Sequence, residues 1–390
     1  MQLADRISRI QPSLTLTLDA RAKELIAAGK DVVNMAVGEP DFAAPACVRE
    51  ATLELAASGR VRYTPAAGTP GLRSAIAEHL SSTRGGHWKP SQVCVCHSAK
   101  HALSASLMCL VQAGDEVLLP LPAWTSYFDQ VRLTGAKPIA VDSPVDGAGF
   151  HPDFKALRAA ITKNTRVLMI NSPNNPSGTV WSREEMIEIA KLALEHDLWI
   201  LSDEIYRALV YDGEVAQSPS GLLPGSEERT LIVDGASKCF AMTGYRMGFV
   251  AGPEEFISNV AKLNSQTNGA PNSLGQFAYE RALCSNPPEV EQMRRTYAQR
   301  RAVLMAGLAQ LDLPTPDPKG AFYAFPNLEK YMDERGSMGL CADLLEEQLL
   351  ALIPGAAFGI DTHIRLSFAT DLDSIREALR RLGAFLNQRG

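Results

Sequence analysis

Short apolar segments rich in β-branched residues alternate with longer amphipathic segments up to about Pro253, and this alternation constrains the fold most. Strands separated by helices form parallel sheets, because each helix returns the chain to the same end of the sheet. The pattern therefore predicts an α/β fold with a mainly parallel sheet between two layers of helices. The predicted strands are 32–37, 92–96, 116–119, 138–141, 166–171, 198–203, 230–234 and 247–251, and the predicted helices between them are 71–84, 99–112, 153–161 and 183–196.

After about Pro253 the pattern changes to longer helical segments and shorter strands, which predicts a second, smaller α+β domain. We expect residues 1–45 to pack with this small domain, residues 46–285 to form the large domain, and residues 286–390 to form the small domain. The predicted helices of this part are 253–267, 273–284, 288–311, 338–350 and 371–386, and the predicted strands are 321–326, 351–353 and 363–368.

Charge and hydropathy exclude several classes of partner. The formal net charge is −6 and the isoelectric point is about 5.7, so the chain predicts neither a nucleic acid nor an anionic membrane as partner. Its first ten residues lack the basic start and apolar stretch of a signal peptide. No segment approaches the roughly 18 apolar residues of a membrane helix.

The seven cysteines are scattered and odd in number, which favours a reducing compartment over a disulfide framework. Together with the absence of a recognisable signal peptide, this predicts a cytoplasmic protein. Cys94 and Cys96 could suggest a metal site, but no second Cys or His pair follows at zinc spacing. We therefore interpret them as buried thiols and predict no metal.

Polar residues follow three of the predicted strands at the edge where open parallel sheets bind their ligands, and a fourth polar segment leads into strand 247–251. Such residues would be unusual in a buried core. These segments are 171–178 (Asn-Ser-Pro-Asn-Asn-Pro-Ser-Gly), 202–206 (Ser-Asp-Glu-Ile-Tyr), 235–238 (Gly-Ala-Ser-Lys) and 243–248 (Thr-Gly-Tyr-Arg-Met-Gly).

This ordered set resembles the class I and II aminotransferases of fold type I, in particular the bacterial aspartate-aminotransferase-like branch. The similarity extends from Gly-Glu-Pro-Asp-Phe at 38–42 to Ile-Arg-Leu-Ser-Phe at 364–368. It implies the pyridoxal-phosphate-dependent transferase fold, in which the large domain holds a seven-stranded sheet. It also implies a ping-pong transfer of an amino group from an L-amino acid, aspartate or glutamate, to 2-oxoglutarate or oxaloacetate.

In the family a lysine carries pyridoxal 5′-phosphate, and Lys238 matches it. A deprotonated lysine amine can attack the cofactor and, once released by substrate, move a proton. Asp203 matches the carboxylate that keeps the pyridine nitrogen protonated. Asn175 and Tyr206 match the groups that contact the 3′-oxygen of the ring, and Trp124 matches the aromatic residue that stacks on it.

The phosphate of the cofactor needs donors and positive charge, which a helix N-terminus provides. The family's phosphate loop is matched by Ser98, Ala99 and Lys100, although many relatives carry glycine at the first two positions. Ser237 and Arg246 match the side chains that complete the phosphate site.

Tyr63 matches a tyrosine that reaches the cofactor of the neighbouring subunit in the family. If this role is retained, the enzyme is a homodimer with shared active sites. Alone, Tyr63 would be read as an aromatic residue of a strand or turn.

Substrate recognition requires a group for the α-carboxylate, and the resemblance assigns this role to Arg365, with Gly38 and Asn175 close to the same carboxylate. Lys100 matches the lysine that pairs with the distal carboxylate of aspartate or glutamate. Ser13 and Thr15 resemble small polar residues of a segment that closes over the substrate. Lys100 as an ordinary exposed lysine remains an alternative.

Three further functions remain open. The same pocket can serve prephenate or aromatic substrates in relatives. A pyridoxal-phosphate-dependent β-lyase would use the same cofactor residues, because both reactions begin with deprotonation of Cα. A non-catalytic binding module is the third possibility, but the sequence shows neither a helix-turn-helix segment nor a basic patch.

Overall fold

The protein is described here as a computed structural model that covers residues 4–10 and 14–389, without the side chains of residues 14–19. Its strands are β1 (Val33–Asn34), β2 (Val93–Cys96), β3 (Glu116–Pro120), β4 (Lys137–Val141), β5 (Thr165–Asn171), β6 (Trp199–Asp203), β7 (Thr230–Gly235), β8 (Gly248–Ala251), β9 (Tyr323–Ala324), β10 (Leu350–Ala351), β11 (Ile353–Pro354) and β12 (Ile364–Ser367).

The helices of the described residues lie mainly between these strands. They are α1 (Asp5–Ser8), α2 (Leu14–Ala27), α3 (Ala46–Ala57), α4 (Pro70–Arg84), α5 (Ala99–Leu110), α6 (Thr125–Thr134), α7 (Phe154–Ala160), α8 (Arg183–Glu195), α9 (Ala236–Cys239), α10 (Glu254–Thr267), α11 (Ser273–Ser285), α12 (Glu289–Gln310), α13 (Gly336–Gln348) and α14 (Leu372–Asn387). Among them, no helix has the length and apolar character needed to cross a membrane.

Seven strands form one sheet in the order β2-β8-β7-β6-β5-β3-β4. Only β8 runs antiparallel to its neighbours, so the predicted seven-stranded, mainly parallel sheet is confirmed. Alternate residues of β5 belong to different hydrophobic clusters: Val167 and Met169 to one, Leu168 and Ile170 to another. Both faces of the strand are therefore buried, which explains its continuous apolar sequence.

α8 begins with a capping box. Ser182 Oγ accepts a hydrogen bond from the Glu185 amide at 3.1 Å, and the Glu185 carboxylate accepts one from the Ser182 amide at 2.6 Å. These two bonds satisfy backbone donors that the first helical turn leaves free.

The predicted strand 32–37 was too long, because only Val33–Asn34 has strand geometry. β1 pairs with β10 through Val33 and Leu350. Beyond it, the Met35 amide donates to Ala351 O at 3.0 Å, whereas Met35 O accepts from the Ser367 amide at 2.8 Å. This segment is therefore bonded to two different strands of the C-terminal part, rather than to one partner along its length.

The predicted strand 321–326 was also too long, since β9 contains two residues. It joins β11 and β12 in a three-stranded antiparallel sheet, which α13 contacts at β11, whereas α14 lies against β1 and β10 of the two-stranded sheet. The helices α1, α2, α3, α6 and α9 were not predicted. α6 buries few apolar side chains, so its helical period is weak in the sequence. The division of the chain after residues 45 and 285 stays a prediction.

Cys94 and Cys96 are both buried, as interpreted from the sequence. Their sulfur atoms lie 3.6 and 3.8 Å from the side-chain amide nitrogen of Asn264. Within the described ranges, no three His, Cys, Asp or Glu side chains form a group that could hold a metal ion.

Candidate active site

A cavity of about 760 Å³ opens at the carboxyl ends of the parallel strands. The sequence singled out a set of residues for the cofactor or the substrate. Among those whose side chains the structure describes, all except Tyr63 line this cavity. They are Gly38, Ser98, Ala99, Lys100, Trp124, Asn175, Asp203, Tyr206, Ser237, Lys238, Arg246 and Arg365. Because these residues are distant in sequence, only the fold could bring them together.

Lys238 extends from α9, directly after the carboxyl end of β7. Its amine donates a hydrogen bond to Gly38 O. Burial, followed by the positive charge of Arg365, lowers the pKa of Lys238 to about 8. A lysine of this pKa has a substantial neutral fraction near physiological pH, so it can act as a nucleophile or base.

Asp203 ends β6 and is 4% exposed. The Tyr127 hydroxyl donates to its carboxylate at 2.7 Å, and the Ile205 amide donates to the other oxygen at 3.2 Å. Burial raises the pKa of Asp203 to about 6, while these two donors oppose the rise. The carboxylate is thus held in one orientation at the floor of the cavity, where it can stabilise a cation.

The N-terminus of α5 forms a second wall of the cavity. Ser98 lies before it with a φ of 102°, and Ala99 begins the helix. A Cβ at Gly248 of β8 would overlap the Ala99 backbone nitrogen, so only glycine allows this close approach. Ser237 and Arg246 line the same end of the cavity. Free amides at a helix start, together with a guanidinium and a hydroxyl, can bind a phosphate.

Arg365 lies on β12 and is 5% exposed. Its two terminal nitrogens donate to Asn175 Oδ1 at 3.1 Å and to Ala36 O at 2.7 Å. Its Nε atom is buried and has no hydrogen-bond partner among the described residues. Burial lowers the pKa of Arg365. A buried guanidinium bonded only to neutral groups is suited to bind an anion that a ligand supplies.

Lys100 is exposed at the entrance of the cavity, and its amine lies 4.8 Å from the centroid of the Trp124 ring. The Trp124 ring meets Tyr127 edge to face, with centroids 5.4 Å apart. The aromatic wall that faces the cavity therefore carries a cation at its outer end.

Comparisons with known proteins agree with this geometry. The model of the family "Aminotransferase class I and II" matches residues 30–382. The chain belongs to the class I and II aminotransferases. It is 38% identical to the aspartate aminotransferase of Bacillus subtilis, with complete coverage of both chains, and 38% identical to the aspartate/prephenate aminotransferase of Thermus thermophilus, with 99% coverage of each.

A solved structure supports the same assignment. The aspartate aminotransferase from Thermus thermophilus with maleate matches with a TM-score of 0.94 and 38% identity. The match covers 99% of this aminotransferase and all of that chain. The resemblance inferred from the motifs is therefore confirmed at the level of the family and of the fold.

Among the cavity residues of this aminotransferase that sequence reasoning missed, three are hydrogen-bonded to predicted ones: Asn171, Tyr127 and Tyr323. Asn171 is the last residue of β5, and its amide donates to Asp203 O at 2.9 Å. The rule that functional groups follow strand ends could have identified it. Tyr127 lies in the first turn of α6, three residues after Trp124, which directly precedes the helix. For Tyr323 the sequence carries no comparable signal.

Of the predicted residues whose side chains the structure describes, Tyr63 alone is not part of the cavity lining. Tyr63 is fully exposed. Its predicted role concerns the site of a second subunit and stays a prediction. Ser13 and the side chain of Thr15 lie outside the described residues.

Proposed function

We propose that this aminotransferase uses pyridoxal 5′-phosphate to transfer an amino group from a dicarboxylic L-amino acid, aspartate or glutamate, to 2-oxoglutarate or oxaloacetate. The observation that carries the proposal is the presence of a buried, anion-seeking arginine, Arg365, in the same cavity as the low-pKa lysine, Lys238. The first group suits the α-carboxylate of an amino acid, and the second suits covalent attachment of the cofactor.

The cavity fits this cofactor at each of its functional groups. Lys238 would hold it covalently, and Asp203 would pair with the ring nitrogen. The buried Tyr206 hydroxyl and the Asn175 amide would contact the ring oxygen, because both line the cavity beside Lys238. When bound, pyridoxal phosphate supplies an electron sink for the electrons of the substrate Cα–H bond.

Four further groups would bind the phosphate: the backbone at Ser98 and Ala99, the Ser237 hydroxyl and the Arg246 guanidinium. Trp124 would lie against the ring. Because Gly248 has no side chain that would overlap Ala99, β8 can lie close to this helix start.

Lys238 would also move the proton between substrate and cofactor. Its amine lies beside Gly38 O, at the substrate side of the cavity, and its lowered pKa lets it accept and return a proton near neutrality. Arg365 would orient the substrate by its α-carboxylate and thereby place the Cα proton within reach of the amine.

Lys100 supports a dicarboxylic substrate, since it places a cation at the entrance of the cavity, away from Arg365. The similar structure of the aspartate aminotransferase from Thermus thermophilus is one with maleate, which is a dicarboxylate. Prephenate is a second candidate, because one relative is named an aspartate/prephenate aminotransferase.

We also propose that the enzyme is a homodimer in which Tyr63 completes the site of the partner, and that the chain divides after residues 45 and 285. The full exposure of Tyr63 is in favour of the first point, since a hydroxyl with this role must project beyond its own subunit. Mixing inactive Lys238→Ala with impaired Tyr63→Ala protein should restore activity through hybrid dimers that hold one intact site. No gain on mixing, despite subunit exchange, would contradict shared sites.

The function is tested by adding single amino acids to the cofactor-loaded enzyme and recording the visible absorbance of the cofactor. Aspartate and glutamate should remove the band rapidly, and 2-oxoglutarate should restore it. Lys238→Ala should abolish the response, whereas Lys262→Ala, which removes an exposed lysine of α10, should leave it intact.

The possible outcomes separate the candidate functions. A response to prephenate's amino counterpart or to aromatic amino acids alone would keep the aminotransferase but reject the dicarboxylic substrate. Release of ammonia and pyruvate without a lasting change of the band would indicate a β-lyase. Failure of the protein to bind the cofactor at all would contradict the proposal.

A further inference from the structure

Tyr323 contacts two groups of the proposed site at once. Its hydroxyl lies 2.9 Å from that of Tyr206, and both side chains are buried. The Arg365 guanidinium carbon lies 4.4 Å from the centroid of the Tyr323 ring. A Cβ at Gly38, whose carbonyl accepts from Lys238, would lie 3.4 Å from the Tyr323 hydroxyl. Tyr323 is therefore positioned between the proposed carboxylate and cofactor ligands.

A purely structural role accounts for the ring but not for the hydroxyl. The ring packs on Phe322, with centroids 4.7 Å apart, and a phenylalanine would pack equally well. A buried hydroxyl without a hydrogen bond is destabilising, and the described partner of the Tyr323 hydroxyl is Tyr206. The function of the Tyr323 hydroxyl is therefore its hydrogen bond with the Tyr206 hydroxyl.

The hydrogen bond between these two neutral hydroxyls can have either of two directions, because each hydroxyl has one proton to donate. If Tyr206 donated to Tyr323, it would have no proton left for a ligand in the cavity. If Tyr323 donates to Tyr206, the Tyr206 proton is free to point into the cavity. Burial raises the pKa of both hydroxyls, and the positive charge of Arg365 opposes the rise in each. Arg365 lies beside the Tyr323 ring and is the first cause that opposes burial there, whereas for Tyr206 it ranks below the effect of Tyr323, so the second direction is favoured.

We propose that Tyr323 is a positioning residue that donates to the Tyr206 hydroxyl and so directs the Tyr206 proton towards the 3′-oxygen of the cofactor. This inference rests on the proposed function. In a chain of hydrogen bonds each bond polarises the next, so Tyr206 becomes a stronger donor than it would be alone. Arg365 would then influence the cofactor through Tyr323 as well as through its effect on Lys238.

The pH midpoint of the visible absorbance of the cofactor-loaded enzyme tests this inference without any turnover. A hydrogen bond from Tyr206 stabilises the form in which the 3′-oxygen carries more negative charge, which is the form that has lost its proton. Tyr323→Phe weakens that bond, so the midpoint should rise by roughly 0.1–0.7 pH unit. Tyr206→Phe removes the bond and should raise the midpoint further.

The double variant provides the sharper result. Because Tyr323 acts through Tyr206, adding Tyr323→Phe to Tyr206→Phe should produce no additional rise. Tyr211→Phe is the matched control: it removes another buried tyrosine hydroxyl, one bonded to Ala321 O, from a residue that does not line the cavity. It should leave the midpoint unchanged.

Three results would overturn the inference. A fall of the midpoint in Tyr323→Phe would mean that Tyr206 donates to Tyr323, the opposite direction. An unchanged midpoint, with full cofactor occupancy, would mean that the hydroxyl does not act on the cofactor. Additive rises in the double variant would mean that Tyr323 acts independently of Tyr206. A wild-type protein that shows no cofactor band would instead reject the proposed function.

Discussion

Two buried arginines of this molecule have opposite surroundings. The Arg84 side chain, at the end of α4, is 1% exposed and forms ion pairs with Glu204 at 3.0 Å and Asp234 at 2.6 Å. Arg365 is equally buried but bonds only to an amide oxygen and a backbone carbonyl, with Nε unpaired among the described residues. The charge of Arg84 is therefore balanced by carboxylates of the protein, whereas the charge of Arg365 is not balanced by an anion of the described residues.

The two environments act differently on the guanidinium groups. Burial opposes the charge of Arg84, but Glu204 and Asp234 outweigh it and raise the pKa. Burial lowers the pKa of Arg365, and no carboxylate of the described chain compensates. A buried cation with its own counterions stabilises a fold, whereas one without them indicates where a charged ligand binds. The difference separates a structural arginine from a functional one.

Replacing Arg84 should have the largest effect, and on stability alone. Arg84→Met leaves the buried Asp234 without a counterion and Glu204 with Arg207 alone, at 3.8 Å, which should lower the free energy of unfolding by about 3–5 kcal/mol. Denaturant unfolding of the cofactor-loaded protein measures it. KM for the amino acid should stay unchanged, because Arg84 does not line the cavity.

The triple variant Arg84→Met, Glu204→Gln and Asp234→Asn is the control for this change. It removes the carboxylate charges together with the guanidinium and should recover most of the lost stability. If the single and triple variants were equally unstable, packing rather than charge would explain the loss.

Arg365→Met should show the reverse pattern. Truncating one partner of a buried charge pair costs about 2–5 kcal/mol, so we expect kcat/KM for amino acids to fall roughly 30- to 5,000-fold. Stability without substrate should stay equal or rise, since the variant removes an unpaired buried charge. Steady-state kinetics and denaturant unfolding on the same preparation measure the effects on kcat/KM and on stability. A loss of stability as large as that of Arg84→Met would contradict the distinction between a structural and a functional arginine.

Lys100→Met should have a smaller and selective effect. Because Lys100 is exposed, its contact with a distal carboxylate should contribute about 1–2 kcal/mol, so kcat/KM for aspartate should fall roughly 5- to 30-fold. Reaction with alanine should not change, since alanine has no distal carboxylate. An equal loss for both amino acids would show that Lys100 acts on the cofactor instead.

The smallest expected effect is a shift in pH dependence. Since burial and then Arg365 lower the pKa of Lys238 to about 8, capture of the cofactor by cofactor-free protein should accelerate as pH rises through about 8. An ordinary lysine would require a pH near ~10.4. In Arg365→Met the midpoint should move upwards, because one of the charges that disfavour the protonated amine is gone. Stopped-flow absorbance measures it, and a midpoint that moves downwards would contradict this electrostatic coupling.

The sequence predicted those parts of the fold and the site that depend on local pattern. β5 was predicted closely because both of its faces are buried, which makes the strand continuously apolar. The polar segments after the strands predicted Asp203 and Lys238, since a parallel sheet brings strand ends to one edge. Of these predictions, the fold and the family are confirmed, whereas the roles of the individual residues stay proposals.

What the sequence could not predict depends on contacts between distant positions. Tyr127 reaches Asp203 over 76 positions, and Tyr323 reaches Tyr206 over 117. Neither spacing has a period or motif that a linear reading can detect. The segment that begins at Val33 was predicted as one strand, because its composition does not reveal that its backbone bonds divide between two partners.

The hydrogen bond from Arg365 to Ala36 O joins positions that are 329 residues apart. A ribosome that adds about 5–20 residues per second needs roughly 15 to 65 s to travel that distance. During this time the segment that carries Ala36 and Gly38 has left the exit tunnel, whereas the strand that must hold it does not yet exist. The emerging polypeptide can therefore build its seven-stranded sheet first, but it can complete the pocket for an amino acid only after the strand that carries Arg365 has been synthesised.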